Sequence, residues 1–174
     1  METGALVQTS YSKILDYAAR VMAAAAENLV SPTDLYGGHF LVLERKFGST
    51  VLLTRFGHFP EDNLNDIPRH RQLMRSRIEQ TERAAWGLFN SGIRLTSHFV
   101  SERNRRDNIR AGVVMGNSLI FGLRCFPDEF LDEAVMLVLV IRLHQWRESE
   151  ILEMISEERN PHLRPLLEAC HWTE

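Results

Sequence analysis

Cysteine is scarce in this chain of 174 residues, which contains only Cys125 and Cys170. The two lie far apart and neither belongs to a Cys-x-x-Cys pair, which argues against a zinc-binding cluster and a disulfide framework. The seven histidines form no His-Glu-x-x-His pattern or other spacing typical of a metal site. A chain of this length buries enough surface to fold without disulfides or a structural metal, so we expect one domain spanning residues 1–174.

Long apolar segments are lacking as well. The longest, AVMLVLVI at residues 134–141, is far shorter than the roughly 20 helical residues that cross a bilayer. The first residues, METGALVQTSYSK, lack the basic start and apolar core of a secretory signal. Together with the scarcity of cysteine, these features predict a cytoplasmic protein with no membrane partner.

Lysine is almost missing, since 18 of the 20 basic residues are arginine. Residues 69–110 hold ten arginines against four acidic residues, whereas residues 126–174 hold eleven acidic residues against four arginines. The planar arginine fork suits carboxylate and phosphate groups, although two charged faces that balance each other would produce the same pattern. The isoelectric point of about 6.2, the interspersed acidic residues and the lack of aromatic residues in the arginine cluster at 103–110 argue against nucleic-acid binding.

The helices of the chain are indicated by the spacing of its apolar residues. A first amphipathic helix is predicted over residues 10–29 and a second from residue 66 to about residue 90. Residues 127–146 begin with proline and acidic residues and end with basic ones, the charge order that a helix prefers. Shorter helical segments are expected near the C-terminus.

Strands are predicted where β-forming residues flank turn residues. The runs 39–45 and 50–56, separated by Gly48 and Ser49, predict a hairpin, and residues 93–102 alternate as a strand does. A second hairpin is predicted to turn at Gly116 and Asn117. The expected fold is α+β, in the order α-β-β-α-β-β-β-α plus C-terminal helices, with a five-stranded antiparallel sheet on which the helices pack.

This order of elements resembles the profilin-like superfold. Three stretches, AARVMAAAAENLVSP (18–32), GGHFLVLERKFGS (37–49) and GVVMGNSLIFGLRCFPDEFLDEAVM (112–136), resemble in the same order the GlcG/HbpS family, which is related to the C-terminal domain of PduO-type proteins. Because some members of that family bind haem, the resemblance implies haem or another tetrapyrrole as a possible ligand, held by an axial histidine. His39 and His58, at the two ends of the first hairpin, are the candidate haem ligands.

Arginines supply the candidate anion site. Arg103, Arg105 and Arg106 lie in a polar stretch between predicted strands, and Arg69 and Arg71 lie at the start of the second predicted helix. A helix start already carries a positive partial charge, so basic residues there are unfavourable unless an anion compensates them. The three loop arginines are predicted to form an exposed positive patch near that helix start. A solvated loop is the alternative.

No catalytic residues are predicted. Cys125 follows an apolar strand and is expected to be buried, although the neighbouring Arg124 would lower a thiol pKa. Ser97 and His98 are adjacent on one predicted strand, where neighbouring side chains point to opposite faces and do not meet.

These observations favour a non-catalytic domain that binds a small ligand or senses it. An alternative is a roadblock- or longin-like interaction module that acts as a homodimer, and a second is an enzyme acting on an anionic small molecule. A homodimer or larger oligomer is expected because the alanine strip at residues 23–26 and the apolar run at 134–141 exceed what one sheet covers. Coverage of the same surfaces by residues 149–174 is the competing account.

Overall fold

Two antiparallel hairpins and five helices make up the part of the chain that the computed structural model describes, which comprises residues 10–31, 37–57, 67–91 and 112–171. In chain order the elements are α1 (Tyr11–Leu29), β1 (Gly37–Glu44), β2 (Thr50–Gly57), α2 (Ile67–Ser91), β3 (Gly112–Met115), β4 (Leu119–Arg124), α3 (Glu129–Arg142), α4 (Glu148–Met154) and α5 (Leu163–Ala169). Among these residues no helix is both long enough and apolar enough to cross a bilayer.

Both predicted hairpins are confirmed. Strand β1 pairs antiparallel with β2, and β3 pairs antiparallel with β4 through a turn in which the Gly116 amide donates to the Leu119 carbonyl at 2.8 Å. The turn after β1 contains Gly48 with φ +65°, a left-handed conformation that favours glycine. Strand β1 also pairs antiparallel with β4, which joins the hairpins into one sheet of order β2-β1-β4-β3.

The prediction of a five-stranded sheet is wrong, because the sheet that the described residues form contains four strands. The residues predicted as the additional strand, 93–102, lie outside the described residues. Alternation of apolar and polar side chains indicates that a segment has two different faces. It does not supply a neighbouring strand for the backbone, and only that pairing makes a segment part of a sheet.

The two faces of the sheet are covered differently. Leu41 and Leu43 of β1 face α2, where they pack with Ala84, Ala85 and Leu88. The alternate residues Phe40 and Val42 face the other way, into a larger core built from α1, α3 and α5. The period of two along β1 therefore gives each face its own hydrophobic cluster.

Helix α3 is enclosed on all sides. Every residue from Leu131 to Ile141 is buried, because β3 and β4 lie on one side of the helix and α1 and α5 on the other. The apolar run at 134–141 and two of the four residues of the alanine strip, Ala24 and Ala25, are thus covered within one chain, in part by the C-terminal segment. The homodimer stays a prediction, but this surface does not support it.

Helix α3 ends four residues earlier than the charge pattern predicts. His144 has φ +55°, its amide donates to the Ile141 carbonyl, and the Gln145 amide donates to the Val140 carbonyl at 2.8 Å. These two bonds form a Schellman motif, in which glycine is the usual residue at the left-handed position. Because a histidine occupies that position, the sequence contains no glycine that would mark the end of the helix. The charge pattern therefore predicts a helix that is too long.

Candidate functional site

His39 lies between two arginines in the sheet. In the register of β1 it is directly opposite Arg55 of β2 and directly opposite Arg124 of β4. Directly opposite residues of antiparallel strands project to the same face. The three side chains therefore start from one row across the sheet, called here the basic row.

The basic row runs from the interior to the surface. His39 is only 4 % exposed, Arg124 is mostly buried at the end of the central strand β4, and Arg55 is exposed on the outer strand. A charged guanidinium in a partly desolvated position attracts an anion more strongly than the same group in bulk water. The row therefore combines an accessible arginine with two less exposed nitrogen-bearing side chains.

Arg124 is oriented by the turn that leads into α3. Its guanidinium Nη1 donates to the Phe126 carbonyl at 2.9 Å and approaches Asp132 Oδ2 at 3.4 Å. Asp132 has no exposed surface, and its Oδ1 accepts from the amides of Cys125 at 2.9 Å and Phe126 at 3.0 Å. The carboxyl group thus holds both the end of β4 and the arginine of the basic row.

Burial raises the pKa of Asp132 to about 7, from the usual value of 3.8. The amides of Phe126 and Cys125 and the Arg124 guanidinium act in the opposite direction, because each of them stabilises the carboxylate. The removal of a carboxylate from water outweighs those interactions here. Asp132 consequently exchanges its proton near neutral pH, in direct contact with Arg124.

A second polar cluster lies at the start of α3 and anchors the C-terminal segment. The side-chain nitrogen Nδ2 of Asn160 donates to Glu133 Oε2 at 2.8 Å and to the Phe130 carbonyl at 3.0 Å. His162 Nε2 lies 2.6 Å from Asp128 Oδ2, and the other oxygen of Asp128 accepts from the Phe130 amide as the N-cap of α3. Both acidic residues, Asp128 and Glu133, have a partner, which indicates a structural role for this cluster.

Helix α2 begins at the same end of the sheet as the basic row. Its Trp86 ring lies against Gly48 in the β1–β2 turn and its Thr81 lies against Gly122 in β4, so the helix runs towards that turn. Arg69 and Arg71 belong to its first turns, at the opposite end, and the first turn contains no acidic residue. The backbone thus places these two predicted anion-binding residues at the end of the sheet where His39 lies.

The remaining predicted site residues, His58, Arg103, Arg105 and Arg106, lie outside the described residues. The chain positions next to their segments are described. Gly57 pairs with Gly37, and Gly112 pairs with Leu123, which adjoins Arg124. The described residue before the first segment and the described residue after the second thus both lie at the end of the sheet that carries the basic row.

Sequence reasoning missed Arg55 and the role of Arg124. The predicted first hairpin could have identified Arg55, because antiparallel pairing places one residue of β2 opposite His39. That residue is Arg55 because the register shifts between Val42 and Leu43. Extending the pairing of Leu43 with Thr50 without that shift would place Thr54 opposite His39 instead.

The thiols contribute no reactive group to the site. Cys125 is buried, as its sequence context predicts, and burial raises the pKa of Cys170 to about 11. Within the four described ranges, no three histidine, cysteine or acidic residues lie close enough to hold a metal ion.

A separate open groove of about 810 Å³ lies beside the end of α3 and is lined by residues that include His144, Trp146 and Arg147.

No protein-family model matches the chain, and no curated protein and no solved structure matches it. The resemblance to the GlcG/HbpS family therefore remains a hypothesis based on the three stretches quoted above.

Proposed function

We propose that this protein is a non-catalytic domain that binds a small anionic ligand at the end of the sheet that carries the basic row. The observation that carries the proposal is the alignment of Arg55, His39 and Arg124 across three neighbouring strands. Arginine forks bind carboxylate and phosphate groups through two parallel hydrogen bonds, and a neighbouring histidine adds a third donor.

The start of α2 supports the same ligand class. The first amides of a helix point out of its N-terminus and carry a positive partial charge, so an anion placed there is stabilised. In α2 this end carries Arg69 and Arg71 and no acidic residue in the first turn. An anion between the helix start and the basic row would interact favourably with both.

Haem is the more specific form of this proposal. The resemblance implies His39 or His58 as the axial ligand, and arginines would pair with the propionates. His39 has little exposed surface, so its imidazole can bind iron only if the side chains that cover it move aside. The proposal accordingly rests on the anionic group, which haem propionates share with phosphate and with small carboxylates.

The proposal is tested by calorimetric titration of the whole chain with inorganic phosphate, citrate and haemin. We expect at least one of these anions to bind, and Arg55→Gln to weaken its binding by about tenfold or more, because a charge-assisted bidentate contact is lost. Arg164→Gln is the matched control, since Arg164 is an exposed arginine on α5 that pairs with Glu157. It should leave the affinity unchanged.

Two further results decide the proposal. Unchanged affinity in Arg55→Gln, or no binding of any of the three anions, would contradict it. The triple variant Arg103→Ala, Arg105→Ala, Arg106→Ala tests the loop separately. If it binds as tightly as the original chain, those three arginines are solvated charge and only the described end of the sheet forms the site.

A further inference from the structure

Arg124 of the basic row uses only part of its hydrogen-bonding capacity within the described residues. Its Nη1 donates to the Phe126 carbonyl and contacts Asp132 Oδ2. Its Nε is buried and has no acceptor there, a state that costs free energy until an acceptor is supplied. The side chain keeps 16 % of its surface exposed, so the arginine can be reached from solvent. It therefore has capacity left for an anion while Nη1 stays with its two partners.

Asp132 contacts this arginine from the first turn of α3 and has no exposed surface. Its Oδ1 already accepts the amides of Cys125 and Phe126. An oxygen that accepts two hydrogen bonds is a poor place for a proton, so a proton on this carboxyl group belongs on Oδ2. Oδ2 is the atom that contacts Nη1, and protonation therefore removes negative charge from the contact with Arg124.

The proton on Asp132 decides how much positive charge Arg124 presents to a ligand. With Asp132 ionised, the guanidinium and the carboxylate partly cancel each other. With Asp132 neutral, the guanidinium keeps its full charge on a largely buried side chain, where water screens it weakly, and it attracts an anion more strongly. Burial raises the pKa of Asp132 to about 7, so both states are populated near neutral pH.

Other titratable groups surround Asp132. Those closest to it in sequence or in register are Cys125 on β4, His39 on β1, and Asp128 and Glu133 at the start of α3. The last two already have hydrogen-bond partners. Strand β3 packs on α3 but carries no titratable side chain, and none of the charged side chains described on α1 and α5 acts on the pKa of Asp132. Within the described residues, the charge that acts on it is that of Arg124.

We propose that Asp132 regulates the anion site of the basic row through Arg124, so that the site binds its ligand more tightly when Asp132 is protonated. This inference rests on the proposed function and makes Asp132 a positioning residue that does not touch the ligand. The coupling is reciprocal: an anion bound at Arg124 disfavours the carboxylate, so Asp132 takes up a proton on binding. The affinity for the anion therefore falls as the pH rises through neutrality.

Calorimetric titration of the original chain and of Asp132→Asn between about pH 5.5 and about pH 8.5 tests the inference. The probe is whichever of inorganic phosphate, citrate and haemin binds the original chain most tightly. The variant is neutral at position 132 throughout, whereas the titrations of the ligand and of His39 occur in both proteins and cancel in the ratio of affinities. We expect a ratio near one at the lowest pH, and about tenfold weaker binding by the original chain at the highest.

Asp128→Asn is the matched control. It also replaces a carboxylate at the start of α3 with an amide, and asparagine is an equally good N-cap. Asp128 pairs with His162 rather than with Arg124. This variant should keep the pH dependence of the original chain.

Nuclear magnetic resonance of the original chain gives a readout that a merely structural role would not move. The carbon-13 signal of the Asp132 carboxyl group reports its protonation directly. A saturating concentration of the same anion should raise the midpoint of this titration by about one pH unit, which corresponds to a tenfold change in affinity. The measurement needs no variant, so it decides the question even if Asp132→Asn does not fold.

The results separate this inference from the proposed function. If the anion binds, but the ratio of affinities is the same at every pH or the carboxyl titration does not move, Asp132 does not regulate the site and the proposed function stands. Loss of the pH dependence in Asp128→Asn would also overturn the role of Asp132. If none of the three anions binds, the proposed function and this inference both fail.

Discussion

Helices α2 and α3 cover opposite faces of the same sheet, but only α3 is enclosed. Helix α3 is buried along its whole length from Leu131 to Ile141, because α1 and α5 pack on the side that faces away from the sheet. Helix α2 packs through a narrow stripe that includes Thr81, Ala85 and Leu88, and it exposes residues such as Trp86 on its outer side.

The difference shows what full enclosure requires of a helix. Because nothing on α3 reaches solvent between residues 131 and 141, its two acidic residues in that range must be satisfied inside the protein. Asp132 accepts two backbone amides and contacts Arg124, and Glu133 accepts from Asn160. The charged residues of α2 whose side chains are described, such as Arg75, Glu79 and Arg83, are exposed, so single changes there should matter less.

The largest effect is expected where α3 touches the sheet. A Cβ at Gly112 would overlap the backbone carbon of Asp132 and the backbone nitrogen of Glu133, and neither atom can move without the whole helix. We therefore expect Gly112→Ala to lower the free energy of unfolding by about 3 kcal/mol or more, as severe overpacking does. Urea unfolding followed by circular dichroism measures it.

Gly122→Ala is the matched change on the other face. A Cβ there would lie 2.7 Å from Cγ2 of Thr81, a side-chain atom on α2 that a change of rotamer can move, whereas Gly112 faces backbone atoms. We expect a loss of about 1 kcal/mol or less, in line with the cost of an unfavourable side-chain rotamer. Equal losses in the two variants would show that the faces of the sheet are packed equally tightly.

The second effect concerns the enclosed carboxyl group of Asp132. Its pKa is raised to about 7 in the folded protein from 3.8, so the folded chain keeps a proton that the unfolded chain releases at lower pH. The stability that the neutral carboxyl contributes is therefore complete below about pH 4 and is lost as the pH rises to about 7. The expected slope approaches about 1.4 kcal/mol per pH unit within this window.

Asp132→Asn isolates this contribution, because an amide stays neutral at every pH in the window. Unfolding free energies of the original chain and of the variant, measured from pH 4 to pH 8, should diverge, with the original chain losing stability relative to Asp132→Asn. The His162 and Asp128 pair is present in both proteins and cancels in the difference. Parallel curves would show that Asp132 is already ionised throughout that range.

The smallest effect is expected on the outer side of α2. No atom lies within 4 Å of a Cβ placed at Gly87, which is exposed in the helix. Gly87→Ala should raise the free energy of unfolding by roughly 0.5–1 kcal/mol, because alanine loses less backbone freedom in a helix. A shift of the urea midpoint to higher concentration measures this gain. A lower midpoint would mean that this side of α2 is covered in solution.

Local patterns in the sequence were sufficient to predict most of the described elements. The first hairpin is confirmed to within two residues at each strand end, and the turn at Gly116 and Asn117 lies where it was expected. These features depend on residues close together in the chain, such as a glycine in a turn between β-forming runs. The end of α3 was missed, because His144 adopts the conformation that usually identifies a glycine stop.

The candidate site was predicted only in part. His39 and the start of α2 were identified from their positions beside turns and at a helix end, which are local properties. Arg55 was missed because its place beside His39 depends on the irregular register between Val42 and Leu43. Arg124 was read only as a neighbour of Cys125, because the pairing of β1 with β4 joins residues that are far apart in sequence.

The sequence by itself determined the α+β class, the helices, the two hairpins and the separation of basic from acidic regions, because each follows from the spacing or composition of neighbouring residues. The tertiary structure alone decided that the described strands form a four-stranded sheet, that α3 is enclosed, and that His39 lies between two arginines. Each of these depends on backbone pairing or packing between distant segments. The free energy of such contacts depends on how whole surfaces fit together, and the spacing of neighbouring residues does not record that fit.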